Sequence, residues 1–374
     1  MRSPADYISR RAHAVDASGI RKVFDLAAKM KDPINLSIGL PDFDVPQIAK
    51  DAAIEAIQAG NNRYTQTQGI APLRERIRKD LSTEIGRDVG EVLITSGVSG
   101  GLLLAILSIL DPGDEAIFLD PYFVMYKHLV TLAGGKSVIV DSYPDFRFHA
   151  DRVERAITPR TKMLMLNSPS NPTGVVMSAA EVASAVEIAR KHDLLILSDE
   201  IYEPFLYESS GSGLASAART YEKTILLRGF SKSHAMTGWR LGYAAGPDEI
   251  IAQMTKLQQY TFVCAPSPLQ YAALKAMDIS MAEAVEAYRK KRDIVYQELG
   301  KRFELVKPEG AFYIFPKAPK GMTASAFVAK AIESNVLTIP GNVFSERDTH
   351  FRISYATTDE KLMQGCEILN RIAG

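Results

Sequence analysis

The feature that most constrains the fold of this sequence is a series of short, continuous apolar runs through its middle, separated by amphipathic stretches. Val92–Thr95, Ala116–Leu119, Ser137–Val140, Met163–Leu166, Leu194–Leu197, Thr224–Leu227 and Gly242–Ala245 have the length and composition of strands. A strand apolar at successive positions is covered on both faces, and helical stretches between strands act as the crossovers of a parallel sheet. Ser178–His192 is such a stretch, with Ser178 and Glu181 spaced as a capping box. Leu102–Leu110 reads as a buried helix too short to cross a bilayer. The expected fold class is therefore α/β, a mainly parallel seven-stranded sheet sandwiched by helices. A helix over Gly19–Met30 precedes it, set apart by Pro41–Pro46, and a long helix, Met281–Leu299, leads to a mixed α+β tail.

At 374 residues the chain exceeds what one hydrophobic core usually serves. Two domains are expected: residues 46–285 as a large α/β domain, and residues 1–45 with 286–374 as a smaller α+β domain. Lys+Arg and Asp+Glu are both 44, so no global field draws the chain to nucleic acid or to an anionic membrane, and small molecules are the expected partners. The two cysteines, Cys264 and Cys366, form no CxxC and have no His cluster beside them; they read as buried apolar residues, with no metal site. Arg10 and Arg11 are followed by no apolar segment, so no signal peptide is expected, and the cysteine usage suits the reducing cytoplasm.

In parallel sheets, ligands sit beyond the carboxyl ends of the strands. There the sequence turns polar after run upon run: Ser96-Gly97, Asp120-Pro121-Tyr122-Phe123, Asn167 to Pro172, Ser198-Asp199-Glu200-Ile201-Tyr202, and Arg228-Gly229-Phe230-Ser231-Lys232. Each alone reads as an ordinary loop, but their coincidence on one edge argues for a site. Lys232 follows a buried strand, with a hydroxyl beside it and Arg240 downstream. A lysine that forms an imine with an aldehyde cofactor must be deprotonated by its surroundings, and Ser231 and Arg240 suit a nearby phosphate. Asp199 ends a buried run, where an unpaired carboxylate is costly; it either caps the following turn or pairs a cationic ring nitrogen. Asn171 and Tyr202 are donors beside it. Ser96 to Gly101 forms a glycine-rich turn before the apolar helix, suited to an anion, and Phe123 is placed to stack on a flat ring. The spacing is not GxGxxG, which counts against a nicotinamide dinucleotide. Met1–Lys31 is too short for the helix-turn-helix module of a cofactor-binding regulator.

These residues carry a resemblance. Leu36 to Phe43, Arg63-Tyr64-Thr65, Asn167 to Gly174, Ser198 to Tyr202, Gly229 to Lys232, Gly238 to Gly242 and Phe351 to Ser354 appear in the order seen in class I/II aminotransferases of pyridoxal phosphate fold type I, the aspartate aminotransferase superfamily. The resemblance implies pyridoxal 5'-phosphate as cofactor, Lys232 as its Schiff-base lysine, Asp199 on the pyridine nitrogen, and Asn171 and Tyr202 on the phenolic oxygen. It further implies Val98, Ser99, Ser231 and Arg240 on the phosphate, Phe123 on the ring, and Arg352 with Gly39 and Asn171 on the substrate α-carboxylate. Tyr64 would reach the phosphate of a neighbouring subunit, hence a homodimer with shared sites. The implied reaction is ping-pong transfer of an amino group from an L-amino acid to a 2-oxo acid such as 2-oxoglutarate. A lyase, decarboxylase or synthase of the same fold, and a dedicated aspartate aminotransferase, are the alternatives. Relatives dedicated to dicarboxylic acids often have a lysine in the phosphate turn; Ser99 stands here, so broad, neutral or aromatic donors are expected, with Tyr122 and Tyr126 beside the distal pocket and Arg21 or Lys22 as possible substitute cations.

Overall fold

The computed structural model describes residues 2–208 and 213–374. The central sheet consists of β1 (Glu91–Ser96), β2 (Glu115–Asp120), β3 (Lys136–Asp141), β4 (Thr161–Asn167), β5 (Leu195–Asp199), β6 (Thr224–Gly229) and β7 (Leu241–Gly246). Their order across the sheet is β1-β7-β6-β5-β4-β2-β3. Only β7 runs against its neighbours, pairing antiparallel with both β1 and β6. All seven runs read as strands form this sheet.

Burial on both faces is visible residue by residue. Met163 and Met165 of β4 pack with Phe118, Leu104 and Ile106 on one side of the sheet, while Leu164 and Leu166 pack with Val182, Ala185 and Ile188 on the other. The second group belongs to the helix Ala179–Lys191, whose Ser178 cap and Glu181 form the expected capping box. One boundary differs from the sequence reading. The helix following β1, here α1, spans Gly97–Ile109, so the glycine-rich stretch is its first turn and not a loop before it. Gly97, at φ +64°, makes the sharp exit from the strand that lets the helix begin at once.

Beyond the sheet, Ile34–Asn35 pairs in parallel with Val336–Leu337. Ile339–Pro340, Phe351–Ser354 and Tyr313–Ile314 form a three-stranded antiparallel sheet. The helices Ala282–Leu299 and Asp359–Ala373 cover it through one cluster that includes Val295, Leu299, Phe312, Ile353 and Leu369. Among the described residues no helix is long and apolar enough to cross a membrane.

A buried ion cluster anchors the edge of the sheet where the polar exits meet. Arg228 on β6, 5% exposed, is held by Glu84 at 2.7 and 2.8 Å and by Glu200 at 2.8 Å. Ser198 and Ser216 hydroxyls donate to the other oxygen of Glu200, at 2.8 and 2.6 Å. Glu200 directly follows Asp199, so the cluster fixes the backbone that carries that carboxylate. Removing the cation leaves a fully buried Glu200 without its counter-charge. Arg228→Met is therefore expected to cost about 3–5 kcal/mol of stability, read as a lower urea midpoint; an unchanged midpoint would mean the cluster stabilises nothing.

Candidate active site

A cavity of about 540 Å³ opens at the carboxyl ends of β1, β4, β5 and β6, under the segment Ile38–Leu40 and the helix Gly19–Ala27. Lys232 reaches into it from the one-turn helix Phe230–Ser233, which begins as β6 ends. Its ammonium nitrogen donates to the Gly39 carbonyl at 2.6 Å. Burial, then the nearby charges of Arg352 and Arg240, bring the Lys232 pKa down to about 8. A lysine in this state has a neutral, nucleophilic fraction near physiological pH.

Asp199 is buried at the end of β5, and burial pushes its carboxyl up to about 6. Two donors partly offset the cost: the Tyr126 hydroxyl on Oδ2 at 2.7 Å and the Ile201 N–H on Oδ1 at 3.3 Å. The turn-capping contact thus uses one oxygen, and the carboxylate still faces the cavity. Asn167, at the end of β4, donates to the Asp199 carbonyl at 3.0 Å and accepts from the Asn171 N–H at 2.9 Å. Asn171 in turn accepts from Arg352 Nη1 at 2.9 Å, and Arg352 Nη2 donates to the Ser37 carbonyl at 2.7 Å. Arg352, 1% exposed, keeps a buried Nε without a hydrogen-bond partner.

The opposite end of the cavity is the first turn of α1. Val98 and Ser99 line it, and the first turn of a helix presents N–H groups that have no intrahelical partner. Arg240, at φ +58°, lies against this turn and donates to the Thr237 carbonyl at 2.9 Å. A Cβ on Gly97 would lie 2.8 Å from Arg240 Nη2, so a side chain there would push the guanidinium aside. Arg240 comes from the start of β7, and it reaches this edge because β7 runs backwards. Ser231 and Phe123 complete the wall.

Gly39, Val98, Ser99, Phe123, Asn171, Asp199, Tyr202, Ser231, Lys232, Arg240 and Arg352 all line this one cavity. Tyr64 does not: it is 83% exposed on the surface of its own chain. Tyr122 and Tyr126, expected beside the distal pocket, also lie outside the cavity lining. Tyr122 turns away to donate to Glu346, and Tyr126, on the helix that follows Phe123, faces the sheet and sits beneath Asp199. Of the two basic residues in the N-terminal helix, Arg21 lines the cavity and Lys22 does not. The sequence reading missed Tyr313, whose hydroxyl is 2.7 Å from that of Tyr202. Its only sequence signal was a tyrosine in the apolar run Ala311–Phe315, which reads as core.

Residues 31–369 match the family model for aminotransferase class I and II. The chain is 38% identical to the aromatic-amino-acid aminotransferase 2 of Thermococcus litoralis, over 98% of both chains. It is 39% identical to an aspartate aminotransferase of Pyrococcus abyssi, again over 98% of both. Among solved structures, the aspartate aminotransferase of Thermus thermophilus with maleate superposes with a TM-score of 0.94 at 36% identity, over the full length of both chains. The chain belongs to the class I and II aminotransferases and is a pyridoxal-phosphate-dependent transferase of amino groups.

Proposed function

We propose that this cavity holds pyridoxal 5'-phosphate on Lys232 and moves an amino group from a range of L-amino acids to a 2-oxo acid, with 2-oxoglutarate as acceptor. The observation that carries the reading is that Lys232 shares one cavity with a buried carboxylate, Asp199, and a buried guanidinium, Arg352, and feels the charge of both. The residues present fit the cofactor. The first turn of α1 with Ser231 and Arg240 suits its phosphate, Asp199 its ring nitrogen, Asn171 and Tyr202 its phenolic oxygen, and Phe123 its ring face. The orphaned Nε of Arg352 and the fork of its Nη atoms suit a carboxylate gripped in the plane of the guanidinium.

When bound, the cofactor supplies an electron sink for the bond broken at the substrate α-carbon. The protein's part is binding, orientation and proton movement. Arg352 and Asn171 fix the substrate by its α-carboxylate, beside the Gly39 carbonyl. Lys232, once its amine is free, would take the α-proton as general base and would return it on the side of the cavity where the cofactor would sit. Asp199 keeps a proton on the ring nitrogen, which sustains the pull on electrons during that transfer.

The donor range follows from the cavity wall facing this machinery. Ser99 offers no cation, while Ile20 and Leu40 are apolar and Arg21 brings a guanidinium to the rim. Such a wall accepts an aromatic side chain and also a second carboxylate. Residues 46–285 serve as a cofactor-binding domain, with 1–45 and 286–374 as a second domain that supplies Gly39 and Arg352. A homodimer in the cytoplasm completes the reading. Ile48, Ile54 and Ile57 are each about half exposed on the helix Gln47–Gln58, and with Tyr64 they form a surface suited to a second copy, whose phosphate site Tyr64 then reaches.

Four outcomes test this reading. Lys232→Ala is expected to abolish turnover while the protein still folds and takes up cofactor noncovalently, as followed by absorbance and gel filtration; near-normal turnover would refute the assignment. Capture of pyridoxal phosphate by the cofactor-free protein needs neutral Lys232, so its rate should rise with pH and level off above about 8; a rate falling across that range would contradict it. Arg352→Lys should lower kcat/KM for aspartate, glutamate, alanine and phenylalanine by a similar factor, on the order of tenfold or more. In the unmodified enzyme, a preference for aspartate beyond about a hundredfold would overturn the broad donor range.

A further inference from the structure

Tyr313 faces the cavity, is 1% exposed, and has no part in the chemistry described so far. Its strand pairs with Phe351–Ser354 so that Tyr313 stands opposite Ser354, close to Arg352. Three contacts define its position. Its hydroxyl is 2.7 Å from the Tyr202 hydroxyl. Its ring centroid is 4.5 Å from the guanidinium carbon of Arg352, which also lies 4.7 Å from the Phe344 ring. And a Cβ on Gly39 would come within 2.0 Å of the Tyr313 oxygen, so Gly39 must be bare for that hydroxyl to be where it is.

The direction of the hydroxyl pair follows from proton counting. A phenol has one proton to donate. If Tyr202 gives its proton to the phenolic oxygen of pyridoxal phosphate, the proton between the two tyrosines must come from Tyr313. A hydroxyl that accepts one hydrogen bond becomes a better donor in the next, most of all at low dielectric. We propose that Tyr313 is a positioning residue that couples the two ends of the site, its O–H strengthening the hold of Tyr202 on the cofactor oxygen while its ring sets the plane of Arg352 for the substrate carboxylate. The proposal rests on the pyridoxal phosphate reading of the cavity.

The consequence has a sign. A stronger donor on the phenolic oxygen favours its anionic form, which lowers the pH at which the nitrogen of the lysine–cofactor bond loses its proton. That titration appears as a pH-dependent change in the visible absorption of the holoenzyme without substrate. Tyr313→Phe removes the hydroxyl and keeps the ring. It is expected to retain cofactor and thermal midpoint, to move the spectral midpoint upward by about half a pH unit or more, and to leave KM for amino acids within about threefold. Tyr313→Leu also removes the ring from Arg352 and should add a rise in KM of about tenfold. A spectral midpoint unmoved in Tyr313→Phe would overturn the proposal and leave Tyr313 an ordinary core tyrosine, and so would a KM rise equal in both variants. A wild-type protein that shows no visible band with pyridoxal phosphate would overturn the cavity reading, and the proposal with it.

Discussion

Three ionisable side chains facing one cavity from buried backbone is an expensive arrangement, and much of the molecule is organised around making it tolerable. Asp199 and Arg352 are each almost fully buried, and Lys232 lines the same cavity. Isolated charges in such a place would neutralise. Lys232 and Asp199 have moved in that direction, their pKa values brought to about 8 and about 6, chiefly by burial. Burial lowers the Arg352 pKa as well, and its charge is held by Asn171, the Ser37 carbonyl and two aromatic faces. The result is a lysine and a carboxylate poised where both protonation states are within reach, which proton transfer requires.

That poise depends on rigid support outside the cavity. Glu200, next to Asp199, is bound into the Arg228 cluster, and Asn167 ties the end of β4 to the Asp199 carbonyl. Close backbone approach does the same at the anion end. A Cβ on Gly242 would fall 2.7 Å from the Val98 nitrogen, so α1 can start directly against β7. The first turn of the helix, Arg240 and Lys232 are thereby held within one wall. Small displacements in such a wall are costly to chemistry because reacting groups must already be aligned.

The donor reading illustrates how one substitution in the pattern shifts meaning once neighbours are known. Ser99 suggested a pocket lacking a fixed cation, with tyrosines from the Tyr122–Tyr126 stretch beside it. The structure moves both tyrosines out of the lining and brings Arg21 in from a helix far away in sequence. Tyr122 and Phe123 lie before the helix Met125–Leu132, in a segment without regular side-chain periodicity, so a motif such as Pro121-Tyr122-Phe123 cannot state which aromatic faces the cavity. Phe123 does, whereas Tyr126 turns to the carboxylate below.

The sequence by itself determined the seven strands, the crossover helices and the polar residues at the strand ends, because burial on both faces demands unbroken apolar runs and chemistry demands polar exits from them. It also pointed to Lys232, Asp199, Asn171, Arg240 and Arg352, since each sits at the end of a run or in a recognisable block. Tertiary structure alone decided that β7 runs backwards and delivers Arg240, that α1 begins at Gly97, and that Tyr126 and Tyr313 touch Asp199 and Tyr202. Those facts depend on contacts between segments distant in the chain, such as Tyr313 with Gly39 and Tyr202. Local spacing carries no information about such pairs, because only the packing of one layer against another brings them within a hydrogen bond.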